Sequence, residues 1–148
     1  MVDGLQNLLP YGATTALQTA FSNLLNGYKR NELDPETGVA TFALSSTLTD
    51  LAEPSESLKA TTAWQVGLEP AQYLLSTQQV AAFERGLDVA QETDVRGYRG
   101  AYLVNATFDL AGGAEKEWSI VAEVNQDSSD VVSLVNTIVR GRTELKAD

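Results

Sequence analysis

The chain has 148 residues, with 20 Asp and Glu against 10 Lys and Arg, giving a formal net charge of −10. That length suits a single domain spanning 1–148 and able to bury a core of its own. The charge argues against a nucleic-acid partner, because a negative field repels phosphate backbones.

The chain has no Cys and no His. Disulfides, thiolate metal sites and Cys nucleophiles are thereby excluded, and so are the commonest general base and the commonest transition-metal ligand. Neither a metal nor a cofactor is expected. No apolar run reaches 18 residues, so no membrane span is expected. Residues 1–10 lack a basic region ahead of an apolar stretch and do not read as a secretion signal.

In chain order, residues 12–27 predict the first helix. Ala13, Ala16, Leu17, Ala20, Phe21, Leu24, Leu25 and Tyr28 form its apolar stripe. The opposite face, Thr14, Thr15, Gln18, Thr19, Ser22 and Asn23, carries no charge. Such a face is compatible with packing against another subunit. Asp34-Pro35-Glu36-Thr37-Gly38 is a turn sequence, so residues 28–33 and 39–48 predict a hairpin. Residues 49–59 predict a surface loop, and 62–68 a strand. Glu69-Pro70 then opens a helical stretch over residues 71–91, as one long helix or two short pieces. Alternation over 98–110 and 118–124, around Gly112-Gly113, predicts a second hairpin. Asp127 and Asp130 cap a third helix that carries Val131, Leu134, Val135 and Ile138 and ends at Gly141. Residues 142–148 predict a polar tail, either a short edge strand or disordered. The expected fold class is α+β: a mainly antiparallel sheet of two hairpins plus a further strand, packed with about three helices.

Few residues suggest chemistry. Arg96, Tyr98 and Arg99 form the one local basic cluster with an aromatic, a candidate contact surface for an anion or for an acidic face of a neighbouring copy. Arg140 and Arg142 are further candidate contacts, or complements to a helix dipole. The Asp127, Asp130 and Asn125 oxygens lack the EF-hand series, and capping accounts for them more simply. Glu115, Glu117 and Glu123, or Glu32, Asp34 and Glu36, contain no spacing that selects a glycosidase pair. Lys29, Lys59, Lys116 and Lys146 sit in polar sequence contexts that do not depress a pKa. No phosphate loop, dinucleotide fingerprint or nucleophile elbow is present.

The expected function is therefore a non-enzymatic structural or assembly subunit whose protein partners are copies of itself or other subunits. In style the chain resembles small virion subunits of tailed phages, of the tail-tube, head–tail joining or capsid-decoration type. Residues 100–142, read as a hairpin with Trp118 in its second strand and a capped helix after it, look like part of a tail-tube subunit. The resemblance implies a self-associating protein located in a virion. The alternative is a small-ligand or peptide-binding module, its groove lined by Trp64, Trp118, Tyr98, Tyr102 and Phe108.

Overall fold

A computed structural model of the chain describes residues 1–45, 59–70 and 72–147, the last six of these as backbone. The described elements run β1 (Val2–Leu8), α1 (Thr15–Ala20), α2 (Ser22–Gly27), β2 (Lys29–Leu33), β3 (Ala40–Leu44), β4 (Ala60–Val66), β5 (Gln72–Leu74), α3 (Val80–Glu84), β6 (Asp94–Arg96), β7 (Gly100–Asn105), β8 (Ser119–Gln126) and α4 (Ser128–Ala147). The fold is α+β and mainly sheet, and every strand pairing is antiparallel.

Two sheets share one core. The smaller has the order β1-β7-β5 and the larger β6-β2-β3-β4-β8. Leu33, Phe42 and Ala63 of the larger sheet cluster with Tyr73, Tyr102 and Val104 of the smaller. Alternation along β7 explains why it lies at the centre. Tyr102 and Val104 enter the shared core, while Ala101 and Leu103 face a second cluster with Leu74, Val80, Phe83 and Val89. Both faces of β7 are thus covered, and Gly100 through Val104 are all buried.

The first hairpin forms as its turn sequence dictates. The Asp34 carboxylate accepts hydrogen bonds from the Glu36 N–H at 3.2 Å and the Thr37 hydroxyl at 2.6 Å. Gly38 takes φ +76°, where a Cβ would collide with the Tyr73 ring. β2 then pairs with β3, Asn31 opposite Phe42. The strand expected over 62–68 also forms, as β4, two residues earlier at each end. Ser46 to Leu48 and most of the 49–59 loop lie outside the described residues.

Several expectations are corrected. The alternating runs at 98–110 and 118–124 do not pair with each other. β7 joins β1 and β5, whereas β8 joins β4 in the other sheet. Alternation encodes a strand and its faces but not its partner. Residues 72–91 are neither one long helix nor two short ones. They give strand β5, which takes its hydrogen bonds from β7, then the five-residue α3, a turn and a stretch that is neither helix nor strand. The first helix is two short helices broken at Phe21, whose φ and ψ are −133° and 39°. The third helix does not end at Gly141 but runs on to Ala147, so the expected tail strand is absent and residues 142–147 are helical. Residues 1–10, read only for targeting, supply β1, an edge strand beside β7.

The helical faces depart most from expectation. Of the expected apolar stripe of residues 12–27, Ala13 and Leu25 are buried, but Leu17, Phe21 and Leu24 are 38%, 57% and 53% exposed. Gln18, from the polar face, is buried instead. Helix α4 begins as expected, with Asp127 Oδ1 accepting from the Ser129 and Asp130 N–H groups at 2.8 and 3.0 Å. Its stripe of Val131, Leu134, Val135 and Ile138 is only partly buried, and Val132 and Val139 are exposed.

Candidate functional site

The buried Gln18 marks the most distinctive chemistry of the molecule. β2 alternates inward at Lys29, Asn31 and Leu33, which sends the Lys29 side chain into the protein. It is 1% exposed. Its ammonium donates to Gln18 Oε1 and, at 3.0 Å, to Asn26 Oδ1. Among the described residues it has no carboxylate partner. Burial, and after it the nearby Arg99 guanidinium, hold Lys29 below the usual lysine pKa. The expectation of an ordinary lysine in a polar context is thus corrected. The sequence neighbours of Lys29 are polar, but strand alternation removes it from them.

Gln18 also forms part of a cleft of about 430 Å³. One wall is the irregular end of β1. There the pairing with β7 slips between Gln6 and Leu8, and Asn7 takes φ 57°. Such a bulge re-aims a side chain, and Asn tolerates this conformation better than most residues. Leu9 follows it. The other wall is Thr15, Gln18 and Thr19 of α1 with Ser22 of α2, and Arg99 completes the rim. The uncharged helical face of the sequence therefore lines this cleft.

The other expected contact residues do not gather here. Arg96, at the end of edge strand β6, is exposed and pairs with Asp94, its Nη2 3.1 Å from Oδ2. That hydrogen bond from Arg96 is the main cause holding the Asp94 carboxyl below its ordinary value. Tyr98 is 50% exposed in the bend before β7. Arg96 and Arg99 thus meet different surroundings despite their closeness in sequence. Arg140 lies exposed on α4, and Arg142 belongs to the backbone-only end of that helix.

The strand aromatics do not form one groove. Tyr102 is fully buried and its hydroxyl donates to the Gly38 carbonyl at 2.7 Å. Trp118 is partly buried, packs edge-on to Phe108 with ring centroids 6.2 Å apart, and donates to Asp3 Oδ2 at 2.7 Å. Trp64 is partly buried on β4. A second cleft, between β1 and α3, contains the single aromatic Phe83.

Among the described residues no three Asp or Glu side chains gather as a metal site, and no helix is long and apolar enough to cross a membrane. No family model matches the chain, and no curated protein matches it.

Proposed function

We propose that the protein is a non-enzymatic assembly subunit whose helical faces are covered by further copies of itself. One observation carries this reading. Leu17 on α1, Phe21 at the break and Leu24 on α2 are all exposed, three large apolar side chains close in sequence in a chain of net charge −10. Single exposed apolar residues are ordinary, but three so close together on the α1–α2 segment are the pattern of a contact surface. The outer side of α4 repeats the pattern with Val132 and Val139. Strand β8 adds an edge, since it pairs with β4 on one side and has no other strand partner among the described residues. The tail-tube likeness depended on a β7–β8 hairpin, and these strands lie in different sheets, so the proposal stands on the helical faces.

Hydroxyl-radical footprinting at low and high protein concentration tests it. Leu17, Phe21 and Leu24 are expected to lose reactivity as concentration rises, while exposed Tyr98 and Leu110 serve as references. Unchanged reactivity at all three would remove the support for this surface.

A further inference from the structure

From the chemistry of the α1–α2 cleft we infer a second property, resting on observations other than the exposed apolar residues: the cleft is an oxyanion site that holds one carboxylate or phosphate group between the Arg99 guanidinium and the hydroxyl and amide donors of α1 and α2.

Three observations converge on it. The first is charge. Arg99 lines the cleft together with Gln18, whose Oε1 receives the Lys29 ammonium, and neither cation forms an ion pair among the described residues. Two cations at one cleft with no counter-ion among the described residues are notable in a chain where acids outnumber bases two to one. An arriving anion relieves that repulsion.

The second is hydrogen-bond polarity. An ammonium has donors only, so its partners must present oxygen. Lys29 therefore fixes both amides: Gln18 Oε1 and Asn26 Oδ1 are committed to it. Gln18 is left with its NH₂ group as the free part of its amide, and that group also reaches Asn26 Oδ1, at 3.5 Å. The acceptors are drawn inward, so what Gln18 has left for a ligand is one amide N–H. In this arrangement Lys29 is a positioning residue, since it acts through Gln18 and its buried charge.

The third is the rest of the lining. Thr15 and Ser22 contribute hydroxyls and Asn7 an amide, Leu9 lines the cleft with them, and no carboxylate is among the described lining residues. Hydroxyls, amides and one guanidinium suit a singly docked oxyanion, which Arg binds through two parallel N–H donors. A cation would meet Arg99 and find no anionic ligand among the described lining residues.

Two sources can supply such a group: a free small oxyanion, or an Asp or Glu side chain of a second copy. Amide chemical shifts separate them. In the first arm, inorganic phosphate and then succinate are titrated into dilute protein at constant ionic strength, with chloride as the reference. In the second, no anion is added and the protein alone is concentrated. Saturable shifts at Gln18, Ser22 and Arg99 are expected in at least one arm, the first identifying a free anion and the second a neighbour's carboxylate. R99Q, at an exposed position, is expected to keep the remaining spectrum and to lose at least tenfold in apparent affinity. Lys29→Met is expected to weaken the same response if it folds, and R99Q keeps the test decisive if it does not. Silence of these amides in both arms, or equal shifts in R99Q and the parent, would overturn the site. A monomeric protein that still binds phosphate retains the site and loses the assembly reading; an assembled protein with silent cleft amides does the reverse.

Discussion

The Tyr102 hydroxyl donates to the Gly38 carbonyl at 2.7 Å, joining the central strand of the smaller sheet to the β2–β3 turn of the larger. Both partners depend on close packing, because Gly38 also abuts Tyr73, whose ring lies 5.8 Å from that of Tyr102. Tyr102→Phe keeps the ring and removes this hydrogen bond, leaving a buried carbonyl short of a donor. The expected loss is about 1–2 kcal/mol, read as a fall of a few degrees in the midpoint of thermal unfolding. Gly38→Ala is expected to cost more, since it adds a steric collision to an unfavourable φ.

Glu92 plays a comparable role at the other side of the smaller sheet. Its carboxylate accepts the Leu75 and Ser76 N–H groups at 2.6 and 2.9 Å and the Gln79 amide at 2.9 Å. Leu75 and Ser76 are buried, so Glu92→Ala strands donors that water reaches poorly. A loss of about 2–4 kcal/mol in urea unfolding is expected. Glu92→Gln retains one acceptor oxygen and is expected to lose less.

Lys29 gives stability a pH dependence of definite sign. Its folded pKa lies below the ordinary lysine value of 10.5, so between those two values the unfolded chain binds more protons than the folded one. Stability from this group therefore rises with pH across that window and is lowest below it. The difference in unfolding free energy between the parent and Lys29→Met is expected to move in the parent's favour as pH rises toward 10.5. On the acid side Asp127 acts with the same sign. The Ser129 hydroxyl, with backbone N–H donors, lowers its pKa from 3.8, so its contribution is present above that value and lost as pH falls through the folded pKa. In Asp127→Asn this acid-side dependence is expected to diminish, measured by the pH course of α4 helicity.

Phe21→Glu and Leu24→Glu separate stability from association. Both positions are more than half exposed, so each is expected to change unfolding free energy by within about 0.5 kcal/mol. Placed in a contact between copies, each buries a carboxylate without a partner and is expected to reduce self-association at least tenfold. Gel filtration at matched concentrations, beside urea melts, reads both quantities.

Local chemistry accounts for what was legible in the sequence. The β2–β3 hairpin follows from Asp34, Pro35 and Gly38, and the start of α4 from Asp127, because a turn and a cap are satisfied within a few residues. Strand β4 follows from alternation alone. Segment 71–91 misleads because its hydrogen bonds are distant in sequence: β5 pairs with β7, and the Gln91 side chain accepts from the Tyr73 N–H at 2.7 Å. Strand β1 escapes notice because Gly4 interrupts its alternation; Gly is required there, since a Cβ would collide with the Tyr102 carbonyl. Of the candidate site, Arg99 was legible as a cation in a small cluster. Lys29 and Gln18 were not, since the first reads as a surface lysine and the second as the polar side of a helix. The available signal was a helical face without a single charge next to a lysine at the start of a strand.

Sedimentation velocity of the unmodified protein, from micromolar to near-millimolar concentration, bears most directly on the solvent-facing helices. If further copies cover Leu17, Phe21 and Leu24, particles of several times 15.9 kDa accumulate as concentration rises, and Leu24→Glu suppresses them. A single 15.9 kDa species across the whole range would contradict self-assembly through this face.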